Sequence, residues 1–246
     1  DSLTGCVDSF SADNLALSLG VSKYEPPEIL TPSGNLTPLP DGVGIYDIEG
    51  ADARPELVNA LMDVSCCFTE KLEGTNHWIS ALGKDVTCGT RKHTAESRAH
   101  MAWQAAERLG LDAVVLKLAQ ECPGQRVTLR GEMVGPKIQD NWYKLERAAI
   151  YNFDVLVGGT YVDPGAWQVI CRRFGVTSVP VLAAGMPLRA WLGGRTMAQA
   201  ANGRSIVNPF VLREGVVVKP MREARLDFER LIVKQRDPVY LAKTEA

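Results

Sequence analysis

Lys71-Leu72-Glu73-Gly74-Thr75-Asn76 is the first stretch whose residue types could do chemistry. A lysine amine is a covalent nucleophile when it is neutral and fixed beside an electrophile. The free amine titrates near ~10.4, so a site that uses it must disfavour the ammonium or place other cations nearby. Glycine three residues on lets backbone pass close to a bound group. With 22 glycines in 246 residues, K-x-x-G arises roughly once by chance, and an acid before the glycine with threonine after it lowers that to about 0.01. Standing alone, the stretch reads as a hairpin turn with a surface lysine.

It does not stand alone. Downstream come Arg130-Gly131-Glu132-Met133-Val134-Gly135-Pro136, then Tyr151-Asn152-Phe153-Asp154-Val155, then Arg213-Glu214-Gly215-Val216-Val217-Val218-Lys219-Pro220, and last Leu231-Ile232-Val233-Lys234-Gln235-Arg236. This ordered set resembles the covalent nucleotidyltransferase superfamily of ATP-dependent DNA and RNA ligases and mRNA capping enzymes. Within it, Gly131 to Gln139 (G-E-x-V-G-P-x-I-Q) and Asn76 resemble RNA ligases, above all the nick-sealing Deinococcus type.

The resemblance implies an activity and a role for each residue. Lys71 forms a lysyl–adenylate from ATP with loss of pyrophosphate. The AMP passes to the 5′-phosphate of a nucleic acid, and a 3′-hydroxyl then seals the break. Catalytic roles fall to Lys71, Glu214 and Lys234. Nucleotide contacts fall to Glu70, Gly74, Arg91, Glu132, Phe153, Lys219, Lys234 and Arg236. Phe153 stacks on adenine, Glu70 reads its amino group, and Arg91 contacts ribose or nucleic acid. Glu132 and Glu214 hold Mg2+ or Mn2+ directly or through water, and Asn76 serves a metal-bound water or the RNA end. The residue types suit this reaction, because phosphoryl transfer needs positioning and fixed charge more than proton relays. Read without the resemblance, Phe153 is also a plain core residue, Lys219 a solvated lysine and Arg91 an exposed turn charge.

Two departures stand out. The last motif is usually K-x-K, and here it is Lys234-Gln235-Arg236; arginine keeps the charge but donates in a planar fork. DNA ligases and capping enzymes carry an OB-fold after this motif; none is expected here, whereas the Deinococcus type carries one upstream. A DNA ligase or guanylyltransferase of the same superfamily, or a non-catalytic nucleic-acid-binding relative, is the alternative reading.

These side chains need elements to hold them. Sequence pattern predicts a helix over 54–61, a strand over 64–70 running into a tight Gly74-Thr75 turn, and a strand over 77–82 returning as a hairpin. Thr94 is a predicted N-cap with Glu96 in the first turn, its helix running to Leu109 and ending at Gly110. Strands are predicted over 126–134, 148–156, 176–182, 215–218 and 231–234. Asp163-Pro164 opens a helix to Phe174 with Asp as N-cap and Pro at N1, and a helix over 187–201 is weakened by Gly193-Gly194. The expectation is an α+β nucleotidyltransferase domain over 46–246, with antiparallel sheets flanked by helices. Residues 1–45, punctuated by Pro26-Pro27, Pro32-Ser33-Gly34 and Pro38-Leu39-Pro40, read as a linker and the tail of an upstream OB-fold module, with a short helix over 14–19.

Composition narrows the class. Apolar residues make up 46% and charged residues 23%, an ordinary globular balance that excludes a disordered or fibrous chain. A net charge of −2 excludes binding driven by bulk positive charge, while a local basic groove stays compatible with it. No apolar run approaches the roughly 18 residues of a membrane span, so no membrane partner is expected. Cys6, Cys66, Cys67, Cys88, Cys122 and Cys171 form no C-x-x-C pair. They read as reduced thiols in a cytoplasmic protein rather than a zinc site. The expected partner is nicked nucleic acid with an RNA 3′-OH strand.

Overall fold

The computed structural model describes residues 36–37 and 39–244. The short helix expected over 14–19, and most of the expected linker, lie outside the described residues.

The strands are β1 (Leu36–Thr37), β2 (Ser65–Lys71), β3 (Thr75–Leu82), β4 (Asp85–Thr90), β5 (Thr94–Ala95), β6 (Val127–Val134), β7 (Ala149–Val157), β8 (Thr160–Tyr161), β9 (Val181–Pro187), β10 (Gly215–Pro220), β11 (Arg225–Leu226), β12 (Glu229–Arg230) and β13 (Val233–Arg236). They form a seven-stranded sheet in the order β1-β5-β4-β3-β6-β7-β8, a four-stranded sheet β13-β10-β2-β9 and the β11-β12 ribbon. Every ladder among them is antiparallel. The helices are α1 (Pro55–Leu61), α2 (Met101–Arg108), α3 (Leu111–Glu121), α4 (Pro164–Phe174), α5 (Leu188–Leu192), α6 (Met197–Ala201) and α7 (Pro238–Thr244). The expected α+β class with antiparallel sheets is the observed one.

Each large sheet has its own apolar core. Helices α2, α3 and α4 cover the seven-stranded sheet, burying Ile79, Trp103, Val115, Leu118, Leu129 and Trp167. Leu111, Val114, Val115, Leu118 and Ala119 recur at helical spacing, so α3 exposes its polar side. The four-stranded sheet packs Phe68, Val218 and Val233 against Leu57 and Leu61 of α1 and Leu188 of α5. Phe68 stacks on Trp191 with ring centroids 4.5 Å apart.

Five local expectations need correction. β2 and β3 are not a hairpin: β2 pairs with β10 and β9, whereas β3 pairs with β4 and β6. The three residues between them therefore cross from one sheet to the other. Thr94 does not cap a helix. It pairs in β5 with Gly89 and Thr37, and His100 caps α2 by accepting the Ala102 N–H at Nδ1, 3.1 Å away. The strand expected over 176–182 begins only at Val181, because Val176 and Val179 are buried in the first core. The helix expected over 187–201 is two helices, split where Gly193 and Gly194 take φ of 55° and 85°. Asp163 precedes α4 as expected, but its carboxylate accepts the Glu223 N–H at 2.7 Å rather than a helix N–H.

Candidate active site

The crossing from β2 to β3 creates the site. Lys71 is the last residue of β2 and faces Gly215 across the ladder to β10, so Glu214 lies beside it. The Lys71 ammonium donates to Glu214 Oε2 at 2.6 Å. Gly215 has a steric reason: a Cβ there would collide with the Gln235 carbonyl and lie 2.9 Å from Arg236 Cα. Arg236, paired with Gly215 in β13, brings Nε to 3.4 Å from Glu214 Oε1. Glu214 thus carries a cation on each oxygen.

In the neighbouring sheet, Asn76 faces Glu132 across the β3–β6 ladder, so their side chains share one face. Burial pushes the Glu132 carboxyl up to about 8; Lys71 pulls against that rise and Glu214 adds to it. Gly131 beside it packs where a Cβ would lie 2.8 Å from Ile150 Cγ2.

These residues converge on a cavity of about 260 Å³. Glu70, Lys71, Gly74, Asn76, Arg91, Glu132, Phe153, Lys219 and Lys234 all line it. Glu214 reaches Lys71 from beside it, and Arg236 reaches Glu214. Glu70 is 1% exposed. Its Oε2 accepts the Ile206 N–H at 2.8 Å, and its Oε1 has no hydrogen-bond partner. Burial raises its carboxyl above the usual range, offset by Ser205 and the Ile206 N–H. Burial also lowers the Lys234 amine, while Asp47, 3.9 Å away, works against that shift. Arg91 pairs with the other oxygen of Asp47.

Lys219 points elsewhere than a solvent-facing lysine would. Its ammonium is 3% exposed. It donates to Asp154 Oδ1 at 2.6 Å and to the Phe153 carbonyl at 2.7 Å. Asp154 also accepts from both Arg230 amino groups at 2.8 and 3.0 Å and from the Tyr46 hydroxyl at 2.9 Å. Burial alone would raise this carboxyl, but Lys219 and Arg230 overcome it and hold it far below the usual range.

Seven lining residues lie outside the set expected from the sequence: Thr69, Leu72, Val179 and Val217 on strands or their connections, and Tyr46, Asp47 and Ile48 from the segment before α1. The Tyr46 ring lies 4.7 Å from that of Phe153, tilted by 37°. The segment before it is also tied to the domain. β1 pairs with β5, Val43 is 2% exposed, and Arg130 donates to the carbonyls of Val43 and Gly44. No spacing in the sequence marks Tyr46, and its role is visible only through Asp154 and Phe153.

The arrangement places Lys71, the carboxylates of Asp47, Glu70 and Glu132, and several cations around one cavity, with Glu214 beside Lys71. Comparison with protein families brings one match, RNA ligase, over residues 65–236, from the start of β2 to the end of β13. The chain belongs to the RNA ligase family. Its fold is similar to that of a Naegleria gruberi RNA ligase solved with PPi, at a TM-score of 0.79 and 23% identity, covering 99% of this chain and 70% of that one. A mutant of that ligase with ATP and Mn gives a TM-score of 0.78 at 23% identity, covering 98% and 70%. Another mutant, with AMP and Mn, gives 0.77 at 22%, covering 99% and 70%. At these identities the likeness is one of fold. No curated protein matches the sequence.

Proposed function

We propose that this RNA ligase family member uses ATP to seal 3′-OH/5′-phosphate breaks at duplex nicks, in the manner of the Deinococcus type. The observation that carries the reading is Lys71 held 2.6 Å from Glu214 at a cavity that also meets Glu132 and Lys234. In the first step the Lys71 nitrogen attacks the α-phosphorus of ATP. An N–P bond forms, the bond to the β-phosphate oxygen breaks, and pyrophosphate leaves. The AMP then moves to a strand's 5′-phosphate, and the attacking 3′-hydroxyl releases it as the strand is joined.

The cavity's chemistry fits ATP. The unpartnered Glu70 Oε1 suits an exocyclic amine, and Phe153 offers an aromatic face at the same wall. Lys234 and Arg91 supply positive charge for phosphates and ribose, while Arg236 offers its charge to Glu214. Lys219, held by Asp154 and the Phe153 carbonyl, fixes the wall that carries Phe153. Mg2+ or Mn2+ fits Glu132 and Glu214. Among the described residues no three His, Cys, Asp or Glu side chains converge, and magnesium needs few carboxylates because it keeps several waters. When bound there, the ion would offset the negative charge on the phosphates. The Glu132 carboxyl, raised by burial, is a group that a nearby cation would return to its ionised form. Asn76 leaves its Oδ1 unpartnered and lies on the same face as Glu132, where it can orient a water or the attacking 3′-end. The free thiols of Cys66, Cys67, Cys88, Cys122 and Cys171 suit a reducing, cytoplasmic setting.

Sugar preference tests the reading. Adenylate formation precedes contact with nucleic acid, and the 2′-hydroxyl is what separates RNA from DNA at a given position. Preformed enzyme–AMP should seal a nick with ribose at the 3′-OH end much faster than one with deoxyribose. The sugar on the 5′-phosphate side should matter less. Single-turnover sealing measures this, and equal rates on all-DNA and RNA-ended nicks would favour the DNA ligase alternative.

A further inference from the structure

The loop over 135–145 is built under backbone strain. Lys137, Gln139, Asn141 and Lys144 have φ of 64°, 44°, 47° and 54°. Asp227 is the one further non-glycine residue with positive φ among the described residues, so the strain is concentrated in this loop. The left-handed region is costly for residues with a Cβ and persists only where the surroundings enforce it. Here they do. Ile138 is 3% exposed and Tyr143 2%. Asn141 both accepts from the Leu145 N–H and donates to its carbonyl, at 3.0 and 2.9 Å. Trp142 Nε1 donates to the Leu212 carbonyl at 2.7 Å, and Asn208 Nδ2 to the Tyr143 carbonyl at 3.0 Å.

The loop grips the three residues that follow Lys71. Up to Lys71 the backbone is fixed by the ladder to β10, but the 72–74 crossing belongs to neither sheet. Its Glu73 N–H donates to the Tyr143 hydroxyl at 2.8 Å, and its Gly74 carbonyl accepts from Gln139 Nε2 at 3.4 Å. Gly74 presses against β6 so closely that a Cβ would collide with the Met133 carbonyl and lie 2.7 Å from Val134 Cγ1.

We propose that Tyr143 is a positioning residue for Lys71: through the Glu73 N–H it holds the crossing that fixes the nucleophile on its C-terminal side. The proposal rests on Lys71 being the nucleophile. Attack at phosphorus demands alignment with the departing pyrophosphate, and small misplacements slow such steps strongly. Tyr143 touches neither ATP nor Lys71 in this role. Its effect therefore belongs to the rate of the step and not to nucleotide affinity.

Tyr143→Phe keeps the ring and removes only the oxygen that accepts the Glu73 N–H. The full chain is mixed with ATP and magnesium, and the rate of lysyl–adenylate formation is read by mass over a range of ATP concentrations. The maximal rate should fall about tenfold, the size expected for one hydrogen bond that aligns the reacting group. Half-saturating ATP should stay within about twofold of wild type, and the circular dichroism spectrum should be unchanged. Gln139→Ala, at an exposed position, should lower the rate about twofold with the same half-saturation. An unchanged maximal rate in Tyr143→Phe would overturn the proposal. So would a rise in half-saturating ATP that accounts for the loss. If Tyr143→Phe is partly unfolded, Gln139→Ala decides, and an unchanged rate there overturns the proposal. A wild-type chain that forms no adduct on Lys71 would instead reject the ligase chemistry itself.

Discussion

Glu214 is drawn from two sides, by Lys71 at 2.6 Å and by Arg236 at 3.4 Å. The last motif therefore divides its work. Lys234 lines the cavity with its amine lowered by burial, whereas Arg236 is 42% exposed and spends its charge on Glu214. Lys234→Ala should slow self-adenylylation by about 10²-fold or more, the range for losing a fixed charge-stabilising donor. Arg236→Lys should stay within about fivefold of wild type, since a lysine can still offer a cation to Glu214. Rates of covalent AMP incorporation check both, and the reverse ranking would mean that Arg236 is the phosphate contact. At this scale the sequence marked Lys71, Glu132 and Lys234 by residue type and motif, and the structure brings all three to one cavity. Tyr46 and Asp154 were not readable as site residues. Their part depends on a hydroxyl and a carboxylate meeting across 108 positions, which no local pattern records.

At the level of elements, strand register brings Lys71 and Glu214 together. Gly215 lets β10 approach β13 at the residue after Glu214. Gly215→Ala should destabilise the chain by about 1–3 kcal/mol, as overpacking in a closed site does, and should lower adenylylation more than that loss explains. Denaturant midpoints and adduct rates, measured together, test this. The same level carries a pH dependence. His77 in β3 is 1% exposed and faces the Ala102 carbonyl of α2 at 3.3 Å. Burial depresses its pKa to about 4, with the Ala102 carbonyl opposing. The unfolded side chain titrates near ~6.5, so between these values the unfolded state binds more protons. Stability should then fall as pH drops from about 6.5 towards 4, by up to about 3 kcal/mol. Urea midpoints at pH 7.5 and 5.0 should show the loss in wild type and a smaller one in His77→Gln. Element types were largely legible, because apolar alternation and the Pro164 and Gly175 boundaries are local signals. Partners were not. A Gly-Thr turn between two apolar strands looks like a hairpin, and only the ladders to β10 and β6 reveal the crossing. Thr94 failed as a cap for the same reason: Gly89 and Thr37, distant in pattern, claim its backbone. The α3 helix is not among the elements expected above, although the apolar spacing of Leu111 to Ala119 marks it.

Taken whole, the described chain has two cores under two sheets, and the 72–74 crossing ties one sheet to the other where the cavity lies. The carboxylates come from both sides, Glu132 from the seven-stranded sheet and Glu214 from the head of β10 in the four-stranded one. That division explains why the motifs lie far apart in sequence and yet meet around one lysine. The central claim is that this lysine becomes the carrier of AMP. Intact mass of the chain after incubation with ATP and magnesium, followed by peptide mapping, tests it most directly. The wild-type chain should gain one AMP on Lys71, released by acid as a phosphoramidate is, and absent from Lys71→Met. No gain in mass, or a gain that persists in Lys71→Met, would contradict it.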